Sequence, residues 1–312
     1  MNKMIQFLRN WTLPVAMAVG VAFYALMHNI AMLQPLHAPI WAVDAVLTPS
    51  LIFIQLLLTF CKVDPRQFRL KWWHLWLIMI QLLGSIGAYM LLAPVSPTLA
   101  QGAMICLICP TATAAAVITA KLGGSAETLI TYTFMVNIQA AIFVPLVFPV
   151  IHPQEGVEFI SAFLRILSKV FPLLIFPFIL SQILKYLFPR IHGLLATHSG
   201  VAFYVWAIAL AMVMGKTAKS IVDDSSNTTA IVMLGLISLV ACGFQFAIGK
   251  KIGTRYRDRI SAGQAIGQKN TVLAIWMSQT YLEPISCVAP GTYVLWQNIV
   301  NSYQLWKKNK RH

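Results

Sequence analysis

The sequence predicts an all-α polytopic membrane protein, and three observations lead to this fold class. Of the 312 residues, 58% are hydrophobic and only 10% are charged, whereas a soluble domain carries about 25% charged residues. The mean hydropathy is +0.73. The apolar residues are gathered into stretches of about 20, which is the length that crosses a bilayer as a helix. We therefore expect the lipid bilayer to surround most of the chain.

Ten apolar stretches predict ten transmembrane helices, and their short connections predict a single membrane domain that comprises residues 1–312. The predicted spans are 11–29, 38–60, 73–93, 99–119, 127–150, 161–187, 199–215, 228–249, 261–281 and 284–305. An even number of spans places both termini on one side of the membrane.

The distribution of positive charge predicts which side that is. The predicted inner connections and the tail hold Lys62, Arg66, Arg69, Lys71, Lys121, Lys185, Arg190, Lys250, Lys251, Arg255, Arg257, Arg259, Lys307, Lys308, Lys310 and Arg311. The predicted outer connections hold mainly carboxylates, with Lys216 and Lys219 as their cations. By the positive-inside rule, both termini are cytoplasmic and the protein is a multi-pass protein of the cell (inner) membrane. The net charge of +14 thus follows topology, and we expect no nucleic-acid partner.

Two predicted spans contain breaks. In the ninth span, residues 263–271 form a polar segment with two glycines that contains Lys269. A lysine at that depth costs roughly 3 kcal/mol unless it faces protein or water. In the fourth span, Pro110 begins a run of small residues and cannot donate a backbone hydrogen bond. Such breaks are tolerated only inside protein or beside a cavity, so together they indicate a transport site.

An odd number of helices in each half predicts two inverted five-helix repeats. A weak internal similarity supports this, because the first and sixth spans both begin with a cation, an aromatic residue and then a proline, Pro14 or Pro172. The offset that moves Pro14 onto Pro172 also moves Pro110 onto Gln268. The fourth and ninth helices would then be broken at corresponding positions, which is typical of a binding site at the membrane midplane.

Several polar residues in the spans are candidate ligands. The helix after Pro110 would begin with backbone N–H groups near Thr111 and Thr113, and such groups suit an anion. Gln81 in the third span and Asn298 in the tenth either join helices by hydrogen bonds or bind a ligand. Asp44 in the second span either pairs with Lys269, faces an outer vestibule or is an interfacial carboxylate.

Neither a metal site nor an enzyme is indicated. The five cysteines and seven histidines are scattered, without a second pair at metal-ligand spacing, and there is no P-loop or visible nucleophile–base pair. We therefore expect no catalytic residue, no metal and no cofactor.

Three stretches resemble motifs of the bile acid:sodium symporter family. Residues 109–119 are similar to its small-residue break in the fourth helix, residues 267–273 to its ninth-helix signature, and residues 296–302 to its tenth-helix motif. With the number, spacing and topology of the spans, the resemblance covers essentially the whole chain and suggests a bacterial ten-helix member.

The resemblance implies a panel of helices 1, 2, 6 and 7 and a core of helices 3, 4, 5, 8, 9 and 10. The broken fourth and ninth helices would cross in the core, and substrate would bind between the two parts during alternating access. The family's substrates are organic anions, namely bile acids or, in bacteria, small carboxylates such as pantoate.

The sequence departs from the family at the implied sodium ligands. A glutamate falls on Ala265, a glutamine on Lys269, a serine–asparagine pair on Ala115 and Ala116, and a serine on Leu129. Thr133 and Gln81 are kept, and Gln268 is a residual polar position. Because a lysine ammonium would repel sodium at close range, we expect the usual sodium coupling to be lost.

The sequence therefore predicts a secondary transporter of an organic anion in which the Lys269 ammonium replaces sodium. The charge would draw the anion toward Thr111, Thr113, Asn270, Thr271 and Asn298. If Lys269 stays charged, transport is uncoupled; if burial displaces its proton, Lys269 carries a coupling proton. The alternatives are a sodium-coupled symporter that uses a residual site and a non-transporting anion receptor on the same scaffold. The oligomeric state is left open.

Overall fold

A computed structural model describes residues 12–198, 200–224 and 227–310, and within these ranges the secondary structure is helical apart from one isolated antiparallel bridge. The helices are α1 (Thr12–Asn29), α2 (His37–Phe60), α3 (Trp72–Leu92), α4 (Pro97–Ile108), α5 (Ala115–Leu122), α6 (Ala126–Ile151), α7 (Phe159–Leu187), α8 (Pro189–Thr197), α9 (Val201–Asp223), α10 (Thr228–Arg255), α11 (Arg259–Gly267), α12 (Thr271–Tyr281) and α13 (Val288–Asn309).

Six of the described helices are long and apolar enough to cross a membrane, and they confirm the second, third, fifth, sixth, seventh and eighth predicted spans as single helices. The other four spans stay predictions. The fourth and ninth are each divided between two short helices, and α13 is too polar to be counted with the six. The predicted starts at residues 11 and 199, and the cation and aromatic residue before Pro14, lie outside the described residues.

The predicted placement of two lysines in a connection between helices is wrong. Helix α9 continues well beyond residue 215, so Lys216 and Lys219 lie within the helix and not in a connection. Each is neutralised there, because Lys216 forms an ion pair with Asp44 of α2 and Lys219 pairs with Asp223 one turn further along α9. Helix α10 likewise continues to Arg255, beyond the predicted end of its span.

Helix α3 shows how the helices suit a membrane. Its buried face carries the polar residues His74, Gln81 and Ser85, which are spaced by about whole turns. Its exposed surface is apolar and consists largely of Leu75, Trp76, Met79, Leu83, Ile86, Met90 and Leu91. This is the reverse of the pattern in a soluble protein, and it places the apolar side chains where lipid would contact them.

The chain divides into two compact units. The first comprises Met1–Lys62 and Pro177–Ser225, and its described part contains α1, α2, the end of α7, α8 and α9. Helix α9 packs against α1 and α2. At Gly20 of α1, an added Cβ would lie 2.0 Å from the carbonyl oxygen of Ala211 in α9. The absence of a side chain at Gly20 is therefore what lets these two backbones meet.

The second unit comprises Val63–Phe176 and Ser226–His312, and its described part contains α3 to α6, the first part of α7, and α10 to α13. Helix α4 packs against α3 and α10, and α10 also packs against α11 and α13. This unit contains two spans that are each divided into two short helices. One consists of α4 and α5, the other of α11 and α12, and together they carry the candidate site.

We predict that Gly20→Ala lowers the free energy of unfolding by about 3 kcal/mol, because the new methyl group would force α1 and α9 apart. The measurement is the thermal unfolding temperature of the purified protein in detergent.

Gly84→Ala is the matched control, since an added Cβ at Gly84 of α3 meets no atom within 4 Å. Replacing a glycine inside a helix by alanine should then stabilise the protein by up to about 1 kcal/mol. Equal unfolding temperatures for the two variants would contradict the close approach of α1 and α9.

Candidate functional site

Two helix interruptions pair with each other through their backbones. Residues 109–114 separate α4 from α5, and residues 268–270 separate α11 from α12; we call these the paired breaks. Thr111 and Lys269 form the antiparallel bridge. Around it, Ala112 N donates to Gln268 O at 3.0 Å and Asn270 N donates to Pro110 O at 2.9 Å. The backbone groups freed by the breaks thus satisfy one another.

The last carbonyls of α4 receive donors from side chains of three other helices or breaks. Cys106 O accepts from Gln245 Nε2 at 3.2 Å, because Pro110 has no N–H to offer it. Leu107 O accepts from Lys269 Nζ at 2.8 Å. Ile108 O accepts from Gln81 Nε2 at 2.7 Å. The end of α4, which would otherwise leave its carbonyls unpaired, is therefore capped by side chains.

The end of α11 is held in a similar way. Ala265 O accepts from Thr111 Oγ1 at 2.6 Å, and Gly267 O accepts from the Tyr293 hydroxyl at 2.8 Å. Gln297 Oε1 accepts from the backbone N of Lys269 at 2.8 Å, and Gln297 Nε2 donates to Lys269 O at 3.4 Å. Helix α13 thus fixes the backbone on both sides of the Lys269 side chain.

The Lys269 ammonium is buried without a carboxylate. The residue is 1% exposed, and among the described residues no carboxylate oxygen lies within 4.0 Å of Lys269 Nζ. Its described hydrogen bond goes to Leu107 O at the carbonyl end of α4, where the helix dipole is negative. One hydrogen bond to a charged group contributes about 1.5–3 kcal/mol, which is less than the several kcal/mol that burying an ammonium costs. Stability alone does not explain this residue.

Several positions at which the family resemblance implies sodium ligands carry apolar side chains that pack together. Ala115, Leu129 and Ala265 are fully buried members of one hydrophobic cluster, and Ala116 packs against it. The cluster is completed by Trp73, Leu77, Tyr132, Val136, Ala262 and Ile266. These alanine and leucine side chains offer no oxygen to a cation.

Polar residues remain at three of the positions that the resemblance relates to sodium binding, and each forms hydrogen bonds within the protein. Gln81 accepts a hydrogen bond from the Tyr132 hydroxyl at 3.2 Å while its amide nitrogen caps α4. Thr133 Oγ1 donates to Leu129 O of its own helix at 2.9 Å. Gln268 Nε2 donates to Gln264 Oε1.

Four of the predicted substrate and charge residues lie together at the paired breaks, namely Thr111, Lys269, Asn270 and Thr271. All four are buried, and Asn270 caps α12 by accepting from Leu273 N at 3.3 Å. Thr113 lies in the same break and is partly exposed. The amide of Asn298 donates to Val294 O of its own helix, α13, at 2.6 Å.

Sequence reasoning missed three residues that hold the breaks. Gln245 and Tyr293 cap carbonyls, and Gln297, rather than its neighbour Asn298, contacts Lys269. A lone amide in an otherwise apolar span was an available signal for Gln245, as it was for Gln81. Asp44, for its part, pairs with Lys216 and not with Lys269.

Comparison with known proteins gives one family match. The model described as the Sodium Bile acid symporter family matches residues 48–224, which is more than half of the chain. No curated protein matches the sequence.

We predict that Thr111→Val lowers the free energy of unfolding by about 1–3 kcal/mol, because it leaves the buried Ala265 carbonyl without its donor. Valine has nearly the shape of threonine, so the change in unfolding temperature reports mainly on the lost hydrogen bond.

Thr119→Val is the matched control. Thr119 is 0% exposed, compared with 2% for Thr111, and its hydroxyl has no hydrogen-bond partner among the described residues. Removing an unpaired buried hydroxyl should leave stability unchanged or increase it. A Thr111→Val protein as stable as Thr119→Val would show that the bond across the breaks contributes nothing.

Proposed function

We propose that this chain, which belongs to the sodium bile acid symporter family, is a secondary transporter of an organic anion that works by alternating access without sodium. In this proposal Lys269 supplies the positive charge that sodium would supply, and the chain is not an enzyme. It is a polytopic membrane protein, and we place it in the cell membrane with both termini in the cytoplasm.

The observation that carries the proposal is the contact between Lys269 Nζ and Leu107 O at 2.8 Å. An ammonium and a sodium ion have the same charge, and backbone carbonyls at a helix end attract either one. The lysine side chain is covalently fixed to the chain, so its amino group lies against this carbonyl whether or not sodium is available.

The hydrophobic cluster supports the absence of sodium. Hard cations such as sodium need several oxygen ligands. Ala115, Leu129 and Ala265 contribute none from their side chains and are instead packed against apolar neighbours. The amide nitrogen of Gln81 already occupies the Ile108 carbonyl.

The bridge between the breaks supports the proposed ten-span plan of two inverted five-helix repeats. The offset that moves Pro14 onto Pro172 also moves Thr111 onto Lys269, and these two residues form the bridge. We propose a panel of helices 1, 2, 6 and 7, with the other six in the core. The first compact unit contains α1, α2, α9 and only the end of α7, so it supports helices 1, 2 and 7 of this panel.

The paired breaks would favour an anion electrostatically. Helices α5 and α12 both begin there, and the start of a helix carries partial positive charge. The Lys269 ammonium adds a full charge, which acts through a medium of low dielectric even though the side chain is buried. We propose Thr111, Thr113, Asn270, Thr271 and Asn298 as the residues that guide the anion.

Uptake into proteoliposomes tests the proposal. We expect purified protein to carry radiolabelled taurocholate or pantoate at the same rate with an inward gradient of sodium or of choline. Accumulation that a sodium gradient drives would overturn the sodium-independent function, and no uptake of either anion would overturn organic-anion transport.

Replacement of the lysine tests its role. Lys269→Gln should lower uptake by about tenfold or more, because it removes the charge that replaces sodium while Ala265 and Ala115 still lack oxygen ligands. Sodium should not restore the uptake. Lys251→Gln, an exposed lysine near the end of α10, should behave as wild type. Unchanged kinetics in Lys269→Gln would contradict a role for this lysine.

A further inference from the structure

A second buried charge lies in the first compact unit, outside the paired breaks. Asp44 of α2 forms an ion pair with Lys216 of α9 through Oδ2. Its other oxygen, Oδ1, accepts from the hydroxyl of the fully buried Thr48 at 2.8 Å. Each oxygen of the carboxylate therefore has a partner, Lys216 for Oδ2 and Thr48 for Oδ1.

The pair lies well inside two apolar helices. Asp44 is seven residues after the start of α2, and Lys216 is seven residues before the end of α9. By helical rise, each residue is about 10 Å along its helix from that end. Ionisable residues at such positions in membrane helices are costly and usually functional.

Stability does not account for the pair. A buried ion pair is often no more stabilising than two apolar side chains of similar size, because both charges lose their hydration. Helix α9 already lies close to the backbone of α1 near this position, since an added Cβ at Gly215 would lie 3.1 Å from Gly20 O. The unit can therefore hold α9 in place without burying two charges.

The two side chains of the ion pair differ in their exposure. The Lys216 side chain is 21% exposed, whereas the Asp44 side chain is 6% exposed. Lys216 is thus the more accessible member of the pair, and the carboxylate is the more shielded one. Among the described residues, Asp44 is the carboxylate within 4.0 Å of Lys216 Nζ, so an anion there has one competitor.

Other titratable groups on the helices around the pair have their own partners or lie elsewhere. On α1, the Tyr24 hydroxyl lies 3.4 Å from His28 Nδ1. On α9, Lys219 pairs with Asp223, and Tyr204 is exposed. On α8, Arg190 is exposed and His192 is partly exposed.

We propose that Asp44 and Lys216 form a proton-coupled anion site. The acidic group of an organic anion takes the place of Asp44 beside the Lys216 ammonium, and the released Asp44 carboxylate takes up one proton from water. One anion and one proton bind together, so the charge of the site does not change, and both leave when the ion pair re-forms. This inference rests on the proposed organic-anion transport and names the ion that is coupled to it.

Burial supplies the reason for proton uptake. Once the ammonium is bound to another anion, a shielded and unpaired carboxylate is strongly disfavoured, and the neutral carboxyl group replaces it. Thr48 can remain a neighbour of either form, because its hydroxyl both donates and accepts hydrogen bonds.

Proton uptake on binding is the test. Purified protein in weakly buffered detergent is mixed with taurocholate, whose sulfonate stays ionised, or with pantoate, and a pH indicator records the protons consumed. We expect about one proton per bound anion and a dissociation constant that rises by up to about tenfold for each pH unit. Binding without proton uptake overturns this inference and leaves organic-anion transport standing. Failure of both probes to bind overturns the proposed function and the inference with it.

Three variants separate the coupling from folding. Asp44→Asn should bind the anion as tightly as wild type or more tightly, without proton uptake and without dependence on pH. The double variant Asp44→Asn/Lys216→Gln carries no unpaired buried charge, so it should fold, lose proton uptake and bind at least about tenfold more weakly. Asp223→Asn breaks only the exposed pair with Lys219 and should match wild type. Proton uptake that persists in Asp44→Asn overturns the proposal.

Discussion

The hydrogen bond from the Lys269 ammonium to Leu107 O connects the two interrupted helix pairs, and the candidate site depends on it. A proline ends α4 and leaves carbonyls without donors, and a break in α11–α12 brings a cation to one of them. Gln81 and Gln245 serve the neighbouring carbonyls, while backbone bonds join Ala112 with Gln268 and Pro110 with Asn270. The same backbone pairing positions the starts of α5 and α12. We propose that the Lys269 side chain takes the place of a soluble cation there.

Much of this arrangement is visible in the sequence because its signals are local. A proline, a lysine in an apolar span and an offset between two halves predict the breaks and relate Thr111 to Lys269. The partners are less visible, because they depend on how helices are rotated. Neighbouring positions on a helix point about 100° apart, so the tenth-helix motif indicates the correct turn while Gln297, and not Asn298, contacts the lysine. At the end of α9 the sequence predicts too short a helix, because the contacts that neutralise its lysines cannot be seen in the hydropathy. Hydropathy ends the span at residue 215, but Lys216 and Lys219 stay within the helix because Asp44 and Asp223 neutralise them.

Lys269 and Lys216 have different chemical surroundings, and this difference gives them different proposed roles. Lys269 is enclosed, bonded to a backbone carbonyl and without a nearby carboxylate among the described residues, and we propose it as the group that stands in the place of sodium. Lys216 is partly exposed and paired with a carboxylate that can accept a proton, so it suits exchange between an internal and an external anion. In our proposal, a transporter that has the apolar side chains of Ala115, Leu129 and Ala265 where the resemblance implies sodium ligands would couple anion movement to a gradient of protons.

The thermal unfolding temperature of the wild-type protein in sodium chloride, compared with choline chloride at equal ionic strength, tests the replacement of sodium by Lys269 most directly. A ligand that binds only the folded state raises its stability, and a sodium site with a dissociation constant of about 10 mM would add about 1.4 kcal/mol at about 100 mM sodium. With the lysine in place of the cation, we expect the same unfolding temperature in both salts. A higher unfolding temperature in sodium, growing with sodium concentration, would contradict the replacement.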